Sequence, residues 1–395
     1  MANVSSSNGL EKRPKLRFPG FDEPWKKCEF KEFAKVNPKC QSIPEQFYYI
    51  DLGSVEDGEL SNAKIENALS APSRAQRLLS CNDVLFQTVR PYQQNNYLFC
   101  KERSLPTVAS TGYAVFRTKY DVPFLYALIH TGHFLNSVLS RCTGTSFPAV
   151  GASDIEDILV SIPSLGEQQK IGELFRLLNS KIRKQKALIE SLKKYKRGVN
   201  NQILSQIDNS YNCRLGSVCE IVGGGTPDTL HTEYWGNTVE WFTPSEIGKT
   251  KYVNNSVRKL SDIGLDNSSA KLLPIGTVLL TTRATLGEMS IAKRECSTNQ
   301  GFQSLIPHTD RVSSEYLYYM QIIIKPWCEK YASGNTFREI SKSALSDCII
   351  PIPDRARQEQ IVKLLSSIDM LIGAAESISM SLSKIRHGLM QQLFI

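Results

Sequence analysis

Two histidines, His130 and His133, stand three residues apart in a stretch that reads as helix, a spacing able to hold a metal ion. No carboxylate or cysteine stands at ligand spacing beside them, so the pair predicts no metal site. The run "GGGTP" at 223–227 can either set backbone amides against a phosphate or supply a turn that uses positive φ. The chain contains no GxxxxGK[ST] phosphate loop, no GxGxxG fingerprint and no HExxH helix, so nucleotide hydrolysis is not predicted. Two Pro-Asp stretches, "PDTLHTEYW" and "PDRARQEQ", lack the Glu-x-Lys arrangement that metal-assisted DNA cleavage needs. An Asn-Pro-Pro-Tyr or Asp-Pro-Pro-Tyr segment, expected of an amino-methyltransferase site, is missing too. The residues predict a reader without catalytic residues, metal or cofactor of its own.

Whatever such a reader contacts must be positioned by a plan that occurs twice. At an offset of 190 residues Ile162 meets Ile352, Pro163 meets Pro353, Gln168 meets Gln358 and Ile171 meets Ile361. Upstream, Gly144 meets Gly334 and Phe147 meets Phe337. Downstream of each Pro-x-x-x-x-Gln the apolar residues recur at spacings of three and four, which predicts a long helix with one apolar seam. The first seam is Phe175, Leu178, Ile182, Ile189, Leu192, Val199 and Ile203, interrupted by Gln185 and Lys196. The second is Leu365, Ile368, Ile372, Ala375, Leu382, Leu389 and Leu393, interrupted by Ser379 and Arg386. Proline just before the helix and Ser164 or Asp354 as cap suit such a start. The two seams are expected to bury each other in an antiparallel pair; the alternative is two ordinary core helices in separate domains.

A length of 395 residues suggests two or three domains at roughly 100–200 residues each. The expected division is an N-terminal extension at 1–23, a globular block at 24–161, a helix at 162–210, a second block at 211–351 and a second helix at 352–395. β-Branched runs around "RATLG" and at "CNDVLFQTVRPYQQNNYLF" predict mixed α/β blocks with several short strands. Hydrophobic residues make up 41% and charged residues 22%, with no apolar run of the roughly 18 residues a membrane helix needs. The start is polar, then basic, and the ten cysteines are scattered without a CxxC pair, so a reducing cytoplasmic setting is expected and no membrane association. The 47 basic residues exceed the 39 acidic ones, and the excess concentrates between 164 and 207, where ten basic residues face three acidic ones. That helix is either a solvated face or a surface for DNA or an acidic partner.

The doubled Pro-x-x-x-x-Gln-x-x-Ile element, with "GGGTPDTLHTEYWGNTVEWFTPSEI", "TTRATLGEMSIA", "TNQGFQSLIP", "SGNTFREISKSAL" and the leading "PKLRFPGFDEPWKKCEFKEF", closely resembles the specificity subunits of type I restriction–modification systems. The likeness covers almost the whole chain. It implies an α/β (mixed α+β) protein of two target recognition domains joined by two long antiparallel helices in a coiled coil with an internal pseudo-twofold repeat. Each domain is implied to read one half of a bipartite, asymmetric site in double-stranded DNA. It also implies two methyltransferase (modification) subunits as partners and further restriction or motor subunits, with S-adenosylmethionine, ATP and Mg on those partners and none on this chain.

Base-edge readout needs Arg, Lys, Asn or Gln, with small polar groups and amides on phosphates. The candidates in the second domain are Thr281, Thr282, Arg283, Asn299, Gln300, Asn335 and Thr336, and in the first Thr88, Arg90, Gln93, Asn95, Thr145 and Ser146. Half-site centres about one helical turn apart, roughly 34 Å, would suit two such domains. Two other readings remain: a helical scaffold without sequence readout, and a self-contained nuclease. Leu177, Leu188, Leu371 and Ile378 fall on the outer helix faces, where a modification subunit is expected to cover them.

Overall fold

The segments after the two Pro-x-x-x-x-Gln elements each form one long helix, 41 residues from Leu165 to Ser205 (α1, Leu165–Ser205) and 39 in the second (α2, Arg355–Leu393). The structure is a computed structural model that describes residues 13–39, 42–61, 63–100, 104–283, 285–334 and 338–395. The repeated glutamine has a plain physical role. Gln168 Nε2 donates to Pro163 O and Gln358 Nε2 donates to Pro353 O, each at 2.9 Å, so a buried amide closes the bend where strand becomes helix. Asp354 caps α2 by accepting from Arg357 N at 2.9 Å.

Two compact units form, one from residues up to Ala187 with Glu376–Ile395, the other from Leu188–Ala375, so each long helix contributes to both. In the first unit Ile171, Phe175 and Ile182 of α1 are buried and Leu178 and Leu389 half-buried, with Leu393 and Phe394 in the same core. Phe175 meets Phe394 at 5.8 Å between ring centroids, and Arg386 Nη1 donates to Asn179 Oδ1 at 3.3 Å, so rising numbers on α1 face falling numbers on α2. In the second unit Ile203, Leu365, Ile368 and Ile372 are buried together with Leu192 and Val199 at their edge. Ile189 is also buried there, and in the first unit Leu382 is half-buried. The polar interruption at Lys196 is satisfied by Asp369 at 2.5 Å, and Asp369 also accepts from Tyr319 Oη at 2.8 Å.

The sheets repeat as the sequence does. In the first unit Lys35–Val36, Tyr113–Arg117, Asp83–Gln87 and Tyr97–Phe99 lie in that order, all antiparallel. The second unit has Cys219–Gly223, Gln303–Pro307, Val278–Leu280 and Met289–Ala292 in the corresponding order, extended by Tyr252–Val253. Each unit also has a four-stranded sheet that contains one parallel pair, Gln46–Ile50 with Thr107–Ser110 at the centre of the first and Val239–Phe242 with the edge strand Cys296–Thr298 in the second. A short antiparallel pair leads into each helix, Lys26–Glu29 with Leu159–Ile162 and Asn212–Arg214 with Ile349–Pro351. This is the mixed α/β plan with two similar domains on two long antiparallel helices. Among the described residues no helix is long and apolar enough to cross a membrane.

The leading segment is pinned to the first helix. Glu167, 1% exposed, accepts from Arg17 Nε at 2.9 Å and Nη2 at 2.6 Å and from Trp25 Nε1 at 3.1 Å. Leu16 N donates to Gln392 O at 3.0 Å, which ties the same segment to the end of α2.

Candidate nucleic-acid interface

In the second unit the loop after Val278–Leu280 meets three others at one rim. Thr281 Oγ1 donates to Thr285 O and accepts from Glu288 N at 3.0 Å, which closes the loop on itself. Thr282 N donates to Gly301 O at 2.7 Å, bringing in the "TNQGF" turn, whose Gly301 N donates to Asn299 Oδ1 at 2.9 Å. Gln300 Oε1 accepts from Thr226 Oγ1, so the "GGGTP" turn joins as well. Arg283, 43% exposed, pairs through Nη2 with Glu339 Oε2 at 2.8 Å, and Glu339 exchanges backbone bonds with Ser333. Thr282, Arg283, Asn299 and Gln300 are thus brought together. Asn335 and Thr336 lie outside the described residues.

The first unit builds the corresponding rim. Its loop 88–96 follows Asp83–Gln87, and a hairpin at 143–149 is closed by Thr143 and Ala149, the positions equivalent to Ser333 and Glu339. Gly144 and Gly334 hold φ of 88° and 120°, which explains why the repeat keeps glycine there. Thr145 and Ser146 are exposed in that hairpin. Arg90 lies with its guanidinium 4.4 Å from the centroid of Phe147, a ring 63% exposed. Gln93 is exposed, and Asn95 half-buried. In both units an arginine from the central loop is therefore brought onto the repeated segment, at Phe147 in the first and Glu339 in the second. Residue reasoning omits Phe147, Thr226 and Glu339; the repeat that pairs Phe147 with Phe337 is the signal that points to the first of them.

Three candidates are corrected by burial. Thr281 and Thr282 are fully buried, and Thr88 is buried with its hydroxyl donating to Gly112 O at 2.8 Å. They sit where strand ends become loop, so they shape the loops and do not face a ligand. The "GGGTP" glycines are corrected in their reason: none has positive φ, yet a Cβ at Gly224 would stand 2.0 Å from Asn299 O and one at Gly225 2.4 Å from Ala270 N. Close backbone approach requires glycine there. Part of the basic excess on α1 is spent internally, since Lys186 pairs with Asp57 at 2.7 Å and Arg183 with Glu59 at 3.7 Å.

The single helix expected through His130 and His133 is two, Val122–Leu128 and Gly132–Leu139. His130 stands in the turn between them with both ring nitrogens engaged. Nδ1 lies 2.7 Å from Tyr126 O and Nε2 3.3 Å from Asn96 Nδ2, an arrangement that needs a neutral ring protonated at Nδ1. Burial, with Arg386 adding to it, pushes the His130 pKa down to about 4. An unfolded chain holds this histidine near its ordinary value of about 6.5, so the native state is fully favoured above that pH. Stability of the first unit is expected to fall by roughly 3 kcal/mol as pH drops from about 6.5 towards 4, with little further loss from this group below. Urea melts of the parent and of His130→Gln across that range check it; parallel pH curves would show that His130 is not responsible.

The model of the type I restriction modification DNA specificity domain matches residues 23–194 and again 208–380, one copy for each repeat. The chain belongs to this family. A Methanocaldococcus jannaschii relative, the type I restriction enzyme MjaIX specificity subunit, is 35% identical over 186 residues, covering 46% of this chain and 43% of that protein. The Haemophilus influenzae HindI specificity subunit is 21% identical over 372 residues, 73% of this chain and 80% of that one. Against the first relative and the Escherichia coli EcoR124I/EcoR124II specificity subunit, the match spans only 43% and 40% of their lengths. Among solved structures, the type I restriction–modification S subunit of M. genitalium superposes with a TM-score of 0.62 at 13% identity, over 97% of this chain and 99% of that one. A chain from a type I restriction–modification assembly gives 0.59 at 23% identity, covering 96% and 99%. At these identities the structures attest the fold shared by family members, two sheet-based domains on two long helices.

Proposed function

We propose that this chain is the non-catalytic DNA-reading subunit of a type I restriction–modification complex in the cytoplasm. It reads a bipartite, asymmetric site in double-stranded DNA and directs two methyltransferase subunits and the restriction or motor subunits to it. The observation that carries this reading is the doubled rim, in which each domain brings an arginine of a central sheet loop onto the repeated segment, Arg90 onto Phe147 and Arg283 onto Glu339. The loops differ in sequence, so the two half-sites should differ. S-adenosylmethionine, ATP and Mg belong to the partners in this proposal. The partners' docking surface is the outer helix faces, where Leu177, Leu188, Leu371 and Ile378 are all about half exposed. On α2 the exposed Leu364, Leu371, Ile378 and Ile385 recur every seven residues, the period at which a further helix packs.

The test is the methylome of a host expressing this chain with its neighbouring methyltransferase, beside a host lacking only this chain. Loss of one split methyl-adenine motif supports the reading; an unchanged methylome with an active methyltransferase overturns it in favour of a scaffold. Within this reading, Arg283→Ala is expected to cost about 1–3 kcal/mol of discrimination at one base pair of one half-site. Competition binding of single-base variants by the assembled methyltransferase checks it. Equal weakening on every sequence assigns Arg283 to a phosphate.

A further inference from the structure

Gln87 ends the strand Asp83–Gln87, is 2% exposed, and spends its side-chain amide on the loop that follows. Nε2 donates to Val89 O and to Gln93 Oε1, each at 2.8 Å, and Oε1 accepts from Asn95 N at 3.1 Å. The far end of the loop is fixed by Asn96, fully buried, whose Oδ1 accepts from Gln87 N at 2.9 Å and whose carbonyl accepts from Tyr126 Oη at 3.1 Å. Its amide nitrogen meets the neutral His130 ring at 3.3 Å. Between these two clamps Arg90 and Gln94 hold φ of 56° and 52°, a left-handed backbone that non-glycine residues rarely adopt. Local preference does not maintain such a loop, and the interior amides do. Its tip, the short turn Pro91–Gln93, presents Tyr92, 52% exposed, and Gln93.

Strained backbone held by buried polar groups is a mark of a preorganised contact loop. We infer that Gln87 is the positioning residue for base preference in the first domain, holding Tyr92 and Gln93 in place against base edges. The inference rests on the reading of this chain as a DNA-specificity subunit and deepens it. The second domain closes its corresponding loop with the Thr281 hydroxyl instead, so a change at Gln87 acts on one half-site alone.

The experiment uses the complete complex in cells, with this chain carrying Gln87→Met, which keeps the volume and removes the amide. The readout is the methylation motif, one half at a time. One half of the motif is expected to lose discrimination roughly tenfold or more at one or two positions while the other half stays sharp. A folded variant with both halves as sharp as the parent overturns the inference. So does equal relaxation of both halves, or weaker methylation at an unchanged motif, since either assigns Gln87 a structural role only. Should Gln87→Met fail to accumulate, the exposed-site variants Tyr92→Ala and Gln93→Ala decide. Relaxation of a single half by them supports the inference, and a parental motif in both overturns it. A parent chain that yields no bipartite motif is instead a failure of the underlying reading, and this inference falls with it.

Discussion

Glu167→Ala is expected to lower the melting temperature of the first unit by about 10 °C and to expose the leading segment to protease at Lys15 and Arg17. The carboxylate lies in the first turn of α1, where Arg17 and Trp25 both donate to it. Arg17 is only 14% exposed, and the bond to Glu167 holds its guanidinium above the ordinary arginine value. Removing one partner of such a pair leaves an uncompensated charge, which costs about 3–5 kcal/mol. For a unit of this size each kcal/mol is worth roughly 2–4 °C. The equivalent position in the second repeat is Arg357, so the clamp belongs to the first domain alone. Thermal melts with limited proteolysis measure both effects, and a melt unchanged within about 2 °C would show that the segment is held by Trp25 packing on Phe124 and Phe394, each at 6.2 Å, and not by the ion pair.

The repeated glutamine gives the second large effect, and an asymmetric one. Gln358 donates to Pro353 O at 2.9 Å and Arg311 O at 2.8 Å, and accepts from Ser313 N at 3.2 Å. Gln358→Leu leaves one buried and two part-buried backbone groups without their partner, and at about 1–3 kcal/mol for an unsatisfied buried group, less for the part-buried ones, the loss should reach about 3 kcal/mol. Gln168 donates to Pro163 O only, and its Oε1 is buried with no hydrogen-bond partner among the described residues. Gln168→Leu is therefore expected to cost about 1 kcal/mol. Urea unfolding of the two single variants compares them directly; equal losses would mean that the glutamines act by filling space and not by their bonds.

The helices were legible because burial along a rod writes itself into sequence as a period. Phe175, Ile182, Ile203, Leu365 and Ile372 are buried at the spacing the seams predict, and the polar break at Lys196 proves to be a paired charge. The doubled plan was legible for a similar reason, since 190 residues separate equivalent positions from Gly144 and Gly334 through Gln168 and Gln358. The loops were only partly legible. Thr281 and Thr282 look like exposed turn residues because they lead into "RATLG" between two apparent strands, yet both are buried, one of them with its hydroxyl bonded across its own loop. Local chemistry is the same in both settings, and only the fold distinguishes them.

The sequence alone determined the family, the two-domain plan, the helix seams and the polar character of the loops, because each is carried by residue spacing or by motifs short enough to read along the chain. Tertiary structure decided which polar residues face outward and which brace the fold. Arg17 reaches Glu167 across 150 residues, Gln358 gathers Arg311 and Ser313, and Asn96 at the end of its loop meets His130 in the turn between two helices. Those choices depend on where buried donors find acceptors after the strands have paired, a three-dimensional balance of desolvation against hydrogen bonding that leaves no period in the sequence.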